Sequence, residues 1–180
     1  LAHIDEERKE TLEEHSELCV KYLKLLTTKK NLNIIFNNFF NIFFEEKSVI
    51  KISLFRSMIY HMILLHDIGK INVNFQVYKM KNNYFKKFIS LDCNTTNHSM
   101  LSAMIYINEF FERTVQFTND IDYYNIIIII LLNAYVISKH HGNFDSFEEF
   151  AEKTISPDGE MTKLYSEQSI IFNKIYKKII

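Results

Sequence analysis

Residues 122–142 read DYYNIIIIILLNAYVISKHHG and decide the fold class of this chain. The five consecutive isoleucines, Ile126 to Ile130, are β-branched and by themselves fit a buried strand as well as a buried helix. The apolar run continues with helix-compatible residues as far as Tyr135 and ends at Gly142, which is a length that strands rarely reach. We therefore predict a buried helix over this segment.

The composition of the whole chain also favours helices. Its 180 residues, 47% of them hydrophobic and 24% charged, suit one globular domain with a real core. The sequence contains 3 glycines and 1 proline, whereas average usage would give about 13 and 9. Because a many-stranded sandwich or barrel needs glycine and proline at frequent reversals, the chain is predicted to be all-α, with residues 1–180 in a single domain.

Composition excludes several other classes of protein. Cys19 and Cys93 are too few for a disulfide framework and indicate a reducing, cytoplasmic compartment. The charged opening LAHIDEERKE does not read as a signal peptide. The longest apolar run, Ile126 to Leu132, is far shorter than the roughly 20 residues that a bilayer requires, so no membrane partner is expected. A net charge of −1 gives no overall positive field toward nucleic acid, so any such contact has to be local.

Capping signals and helical periodicity predict the remaining helices. Thr11 and Glu14 match a capping box, and the helix that follows carries an apolar stripe that we expect to face its packing partner. That stripe comprises Leu12, His15, Leu18, Cys19, Tyr22, Leu25 and Leu26. Further helices are predicted over residues 32–44, 48–66, 75–89 and 98–113, with Gly69 as a left-handed cap after the helix 48–66. A short helix is predicted after Ser146, which opens a second capping box. A last helix is predicted from about residue 161, after a turn at 156–159.

The seven histidines fall mainly at helix ends and on inner helix faces, at positions 3, 15, 61, 66, 98, 140 and 141. Imidazole nitrogens ligate borderline metals and a carboxylate can bridge two of them, so the pair His66-Asp67 with several other histidines suits a dinuclear site. Each motif also has a plainer interpretation. His15 or His61 alone suits a hydrogen-bonded core residue, His140-His141 a solvated helix end, and Lys70 a cation at a helix C-terminus.

The joint pattern resembles the HD superfamily of metal-dependent phosphohydrolases, and more specifically the HD nuclease domain of the type I CRISPR-associated nuclease-helicase. The resemblance rests on residues 11–16 (TLEEHS), 66–70 (HDIGK) continuing to 74–76 (NFQ), 97–99 (NHS) and 138–142 (SKHHG). It implies a helical bundle with an interior dinuclear metal site. One metal would take His15, His66 and Asp67, and the other would take Asp67, His98, His140 and His141, with Asp67 as the bridge.

The same resemblance implies endonucleolytic cleavage of single-stranded DNA in antiviral CRISPR interference, and it leaves exonucleolytic cleavage open. The implied cofactors are two divalent metal ions (Mn, Ni, Co, Fe or Mg), and the implied partners are single-stranded DNA, a helicase domain or subunit, and the crRNA-guided surveillance complex. Asp67 and Lys70 are the candidate catalytic residues, Lys70 through electrostatic stabilisation of the scissile phosphate. The histidine-rich ligand set favours a transition metal over Mg²⁺.

Two features leave alternatives open. The family has a later aspartate that completes the first metal, whereas after Gly142 this sequence offers only Asp145 and Asp158, which suggests a domain truncated at its C-terminus. An HD phosphohydrolase acting on nucleotides or cyclic nucleotides, or a non-catalytic helical interaction domain, are the other candidate functions. The lysines of segment 75–89, with interleaved aromatic residues, fit either a groove for a DNA strand or a solvated surface.

Overall fold

The structure is a computed structural model that describes residues 1–4, 8–89, 96–144, 146–155, 162–163 and 165–166. Within them the chain is an α-helical bundle, as the composition predicts, with one small two-stranded addition. The helices are α1 (Leu12–Lys29), α2 (Leu32–Phe43), α3 (Val49–Leu65), α4 (His98–Thr114), α5 (Tyr123–Lys139) and α6 (Phe147–Ile155), and the strands are β1 (His3–Ile4) and β2 (Lys9–Glu10). The bounds of these helices agree with the predicted ones to within a few residues.

The isoleucine-rich segment is helix α5 and lies in the core, packed mainly against α4. Ile126, Ile129 and Ile130 are at most 2% exposed. Burial of this kind stabilises by about 1.5–3 kcal/mol for each large aliphatic side chain, which outweighs the small helix penalty of β-branching. At the N-terminal end, Asn125 Nδ2 donates to the Phe43 carbonyl (2.8 Å) and ties α5 to α2.

Helix α1 buries only part of the predicted apolar stripe. Thr11 forms the complete capping box with Glu14, as expected. Leu12, His15 and Cys19 of the stripe are partly buried, and Val20 is the buried residue of the helix. The other members of the stripe are exposed, which contradicts the prediction; they are Leu18, Tyr22, Leu25 and Leu26. Periodicity predicted the helix correctly, but α1 contacts α3 over a narrower face than the stripe suggested.

The segment after α3 is more irregular than predicted. Residues Ile68–Ile71 form a 3₁₀ turn, Phe75–Lys79 a single π-helical turn and Asn83–Phe88 a second 3₁₀ turn, in place of one helix over 75–89. Gly69 is not a left-handed cap, because its φ is not positive. It is instead a point of close approach: a β-carbon at Gly69 would lie 1.9 Å from the His98 carbonyl oxygen at the start of α4.

A buried ion cluster joins the start of α5 to the α2–α3 connection. Lys51 is 2% exposed and its ammonium lies 2.6 Å from Asp122 Oδ2 and 2.7 Å from Asp120 Oδ1. Asp122 also accepts the backbone N–H groups of Glu45 (2.7 Å) and Glu46 (3.2 Å). These contacts hold the pKa of Asp122 below its ordinary value against the opposing effect of burial. No local pattern in the sequence indicates this cluster.

The C-terminal predictions are tested only in part. Ser146 Oγ accepts the N–H of Glu149 (3.2 Å) at the start of α6, which confirms the predicted N-cap. The predicted turn at 156–159 and most of the helix from residue 161 lie outside the described residues, as do Asp145, Asp158 and Cys93. None of the described helices combines the length and apolarity that crossing a bilayer requires.

Candidate metal centre

Asp67 lies at the centre of the predicted site and is almost completely buried. Its two carboxylate oxygens face two separate groups of histidines. Oδ1 lies 3.1 Å from His140 Nε2, 3.3 Å from His98 Nε2 and 3.8 Å from His141 Nε2. These four residues form a compact set whose potential ligand atoms all lie within 4.8 Å of one another.

The second oxygen, Oδ2, faces the other histidine group. It lies 3.1 Å from His15 Nε2 and 3.5 Å from His66 Nε2, and these two nitrogens are 3.4 Å apart. Lys70 Nζ approaches the same oxygen at 2.8 Å. The structure therefore brings together all the site residues predicted from the sequence, and it divides the histidines between the two carboxylate oxygens.

Helix ends explain how residues so distant in sequence meet. His66 follows the last residue of α3, His98 opens α4, and His140 follows the last residue of α5. Asp67 begins the 3₁₀ turn at Ile68–Ile71, whose Gly69 N–H donates to Ser102 Oγ of α4 (2.8 Å). The ends of three helices thus converge on one carboxylate.

Hydrogen bonds to the far side of the imidazoles determine which nitrogen faces Asp67. His66 Nδ1 donates to the Ile63 carbonyl (2.8 Å), and His140 Nδ1 donates to the Ile137 carbonyl (2.6 Å). Because a carbonyl oxygen only accepts, the proton of each neutral ring lies on Nδ1 and the Nε2 lone pair points into the site. This is the orientation that metal-ligating histidines adopt.

The donor set fits a metal ion for two reasons. Lone pairs of His66 and His140 directed at an ionised carboxylate repel it unless a cation or extra protons lie between them. In addition, His98 Nε2 is buried and, although it lies 3.3 Å from Asp67 Oδ1, it forms no hydrogen bond of good geometry. A buried polar nitrogen without a partner costs about 1–3 kcal/mol, and coordination to a metal removes that cost. The residues present therefore suit divalent metals held by nitrogen and oxygen.

Burial and charge together shape the titration of the site. Burial alone would raise the pKa of Asp67, but the His140 and His98 rings, when a proton lies on Nε2, and the Lys70 ammonium hold that pKa far below its ordinary value. Burial lowers the pKa of His66, and burial together with the neighbouring His140 and His98 lowers that of His141. A carboxylate that stays ionised beside neutral imidazoles is the protonation state that metal binding requires.

Lys70 occupies a different setting from the one expected of a helix-terminal cation. Its side chain is buried, and its ammonium pairs with Asp67 Oδ2 and donates to the carbonyl of Ala2 (3.2 Å). Gln76 Nε2 donates to the Lys70 carbonyl (2.7 Å), and the Phe75 ring packs edge-on against His98 at 4.6 Å between centroids. The Phe-Gln pair therefore supports both Lys70 and His98.

Two residues near the metal centre were missed as functional candidates. Glu10, on β2, places Oε2 3.3 Å from His15 Nδ1 and 3.9 Å from His3 Nε2. Cys19, one turn after His15 on α1, places Sγ 3.7 Å from His15 Nε2. Glu10 is one of six acidic residues before His15, so sequence alone could not select it. Cys19 sits four residues after a proposed ligand, and that spacing was a usable signal.

A helical bundle in which an adjacent His-Asp pair meets histidines from separate helices defines the class of HD-type metal-binding domains. Comparison with protein families identifies it further: the family model described as Cas3, HD domain, matches residues 23–173, so the chain belongs to this family. His15 lies before the matched range. No curated protein and no solved structure gives a match to the chain.

Family membership establishes the general activity of the domain. It is an HD-type nuclease domain of CRISPR defence with the fold of a metal-dependent hydrolase. Its role is in the CRISPR nuclease-helicase, whose substrate is nucleic acid. HD domains bind divalent metals, and Asp67 with its histidines forms a cluster able to hold one.

Proposed function

We propose that this domain is a deoxyribonuclease that hydrolyses the phosphodiester bonds of single-stranded DNA with two divalent metal ions. The division of histidines between the two oxygens of Asp67 is the observation that carries this proposal. One ion would be held by His15, His66 and Asp67. The other would be held by Asp67, His98, His140 and His141, with Asp67 as the residue common to both.

Two bridged ions supply the chemistry that phosphodiester hydrolysis needs, since a metal lowers the pKa of water from 15.7 toward ~7 and a pair neutralises the attacking and leaving oxygens. The protein's own groups position this centre. The Ile63 and Ile137 carbonyls fix the tautomers of His66 and His140. Lys70 balances part of the Asp67 charge from within the protein, and its assignment to phosphate stabilisation stays a prediction.

Exposure of the site is compatible with a polymeric substrate. The side chain of His141 is 54% exposed whereas that of Asp67 is 3% exposed, so the Asp67–His98–His140–His141 group opens to solvent on its His141 side. The nearly neutral net charge suits a domain that receives its strand from a helicase partner, itself recruited by a crRNA-guided complex. A helicase domain or subunit and that complex are therefore the proposed partners.

A substrate panel tests the proposal directly. Metal-stripped protein is loaded with Mn²⁺ or Ni²⁺ and offered circular single-stranded DNA, duplex DNA, single-stranded RNA, nucleotides and cyclic nucleotides. We expect the DNA circles to be cut, because cutting a circle requires an internal phosphodiester, and Asp67→Asn to be inactive on every substrate. Cleavage of nucleotides without cleavage of circles would instead support a nucleotide phosphohydrolase. Metal loading without any hydrolysis would support a non-catalytic domain.

A further inference from the structure

We propose that the Cys19 thiolate is a ligand of the metal position held by His15 and His66, which gives that position a sulfur donor. The inference rests on the proposed function, since it adds a ligand to one of the two proposed metal positions. Nothing in the family match bears on it, because both His15 and Cys19 lie before residue 23, where that match begins.

Helix α1 places the two side chains on one face. His15 and Cys19 are four residues apart, and residues at this spacing stack one above the other on a helix. Cys19 is partly buried and is not in a disulfide. Its sulfur, His15 Nε2 and a nitrogen of His66 all lie within 4.8 Å of one another, which makes the three residues a second group able to hold a metal ion.

The separations between donor atoms match those around a single tetrahedral ion. With Zn–N bonds of about 2.0–2.1 Å and Zn–S bonds of about 2.3 Å, two nitrogens are about 3.3 Å apart and a nitrogen and a sulfur about 3.6 Å apart. The observed separations are 3.4 Å between His15 Nε2 and His66 Nε2, and 3.7 Å between His15 Nε2 and Cys19 Sγ. Both separations fit donor atoms that share one ion.

The protonation of the two rings provides a separate reason for a cation at this point. His66 Nδ1 donates to a carbonyl, and His15 Nδ1 faces the Glu10 carboxylate, so in the neutral rings both Nε2 lone pairs face each other. A Cys19 thiol that donates a hydrogen bond to His15 Nε2 satisfies that nitrogen only. The lone pair of His66 Nε2 then still lacks a donor. A cation bound to the thiolate and both nitrogens satisfies all three donors.

A sulfur donor would make the two metal positions differ in preference. Thiolate and imidazole favour Co²⁺, Ni²⁺, Fe²⁺ or Zn²⁺ and disfavour Mg²⁺. The other position, with Asp67, His98, His140 and His141, offers only nitrogen and oxygen. The Cys19 position is therefore expected to retain a transition metal in the presence of excess Mg²⁺.

Cobalt titration of the metal-stripped protein tests the proposal. Cobalt bound to thiolate absorbs in the near ultraviolet through charge transfer from sulfur, and its visible bands report binding to any ligand. We expect the charge-transfer band in the unaltered protein and in Cys93→Ser, which removes the other cysteine of the sequence. Cys19→Ser should lose the band and bind one of two Co²⁺ ions at least about 10-fold more weakly. Bound Co²⁺ should also protect Cys19 from alkylation in the unaltered protein.

The outcomes separate this inference from the proposed function. Visible cobalt bands without a charge-transfer band, or a charge-transfer band that persists in Cys19→Ser, would overturn thiolate ligation. Rapid alkylation of Cys19 in the cobalt-saturated protein would overturn it without any substitution, so the test does not depend on how well the variant folds. If the protein cuts DNA circles but shows no charge-transfer band, the proposed nuclease stands and only the ligation by Cys19 is excluded. If the protein shows the charge-transfer band but cuts no substrate, ligation by Cys19 stands and the proposed nuclease activity is excluded.

Discussion

Gly69 and His98 come so close that a β-carbon at position 69 would lie 1.9 Å from the His98 carbonyl oxygen and 2.8 Å from the Ser102 backbone nitrogen. Both obstructing atoms belong to the backbone of α4, which cannot move aside as a flexible side chain would. This close approach sets the distance between the turn that carries Asp67 and the helix that begins at His98. The glycine is therefore required by the geometry of the metal centre.

Gly69→Ala should consequently destabilise the protein by about 3 kcal/mol or more, the upper end of overpacking costs, and weaken metal binding. The matched control is Gly142→Ala, since a β-carbon there meets nothing within 4 Å and the backbone φ is not positive. That variant should change the free energy of unfolding by less than about 1 kcal/mol. Urea denaturation of both variants measures the difference, and equal stabilities would contradict the close approach.

Removal of the Asp67 charge should abolish binding at both metal positions. Asp67→Asn keeps the shape of the side chain, but it removes the anionic oxygen facing each histidine group. His61→Ala is the control, because His61 Nδ1 contacts the Ser57 carbonyl at 2.8 Å and the side chain has no part in the proposed ligand set. It should cost about 1 kcal/mol of stability and retain the metal. Elemental analysis after dialysis gives the stoichiometry, and retention of one ion by Asp67→Asn would argue against a bridging role.

Local patterns in the sequence predicted helices α1 to α6, and the resemblance to the HD nuclease family indicated which residues the structure brings together around Asp67. The apolar run from Ile126 to Tyr135 is too long for a strand and so indicates a buried helix, and the HDIGK element at residues 66–70 marks the end of another helix. The joint occurrence of His66-Asp67 with His140-His141 predicted a common site that no single histidine could have indicated.

What the sequence could not provide depends on contacts between distant segments. The exposed half of the α1 stripe, including Tyr22 and Leu25, shows that an apolar helix face need not be covered. Gly69 is required by the position of α4 and not by its own backbone conformation. Lys51 reads as an ordinary helix-surface lysine, and its burial follows from Asp122, 71 residues away. Such pairings cannot be inferred from spacing along one helix.

The Lys51–Asp122 pair should matter greatly for stability. Asp122→Asn leaves a buried ammonium with less compensation, and breaking such a pair costs about 3–5 kcal/mol. Glu109→Gln is the matched control, since the side chains of the Arg113–Glu109 pair are 42% and 43% exposed and pairs of this kind contribute about 0–1 kcal/mol. Thermal unfolding at neutral pH should separate the two variants clearly, and similar midpoints would contradict the buried position of the pair.

The stability advantage of the unaltered protein over Asp122→Asn should also depend on pH with a definite sign. The pKa of Asp122 is lowered in the folded protein relative to its ordinary value of 3.8. The contribution of the ionised carboxylate is therefore complete above that value and is lost as the pH falls through the lower, folded-state pKa. The advantage should be constant near neutral pH and shrink in strongly acidic buffer. An advantage that grows on acidification would contradict the assignment.

The basic and aromatic surface of segment 75–89 is the candidate path for a DNA strand. Tyr84 is 57% exposed, and Lys87 Nζ lies 4.9 Å from the centre of its ring. If the strand runs here, Lys86→Ala with Lys87→Ala should make single-stranded DNA binding less dependent on salt, with a log–log slope smaller by about 0.7 for each phosphate that is no longer neutralised. Tyr84→Ala should cost about 1–3 kcal/mol per stacked base. Lys21→Ala with Lys24→Ala is the charge-matched control, because both lysines are exposed on α1. If this control reduced the salt dependence of DNA binding as much, the surface of segment 75–89 would be an ordinary solvated surface and not the path of the strand.

Glu10 should act as a positioning residue for the His15 metal position. Its carboxylate lies 3.3 Å from His15 Nδ1, a position that favours the tautomer with the proton on Nδ1 and the Nε2 lone pair directed toward Asp67. A carboxylate in this place raises the basicity of the ligand, and loss of such a partner typically weakens metal binding by about 10–100-fold.

Glu10→Gln preserves the size of the side chain and removes the charge. We expect the Co²⁺ affinity to fall at the His15 metal position only and to stay unchanged at the other position. His3→Ala removes the other neighbour of Glu10 and should leave that affinity within a few-fold of the unaltered protein. If Glu10→Gln weakened both positions equally, the carboxylate would be acting on the general charge of the site and not on the orientation of His15.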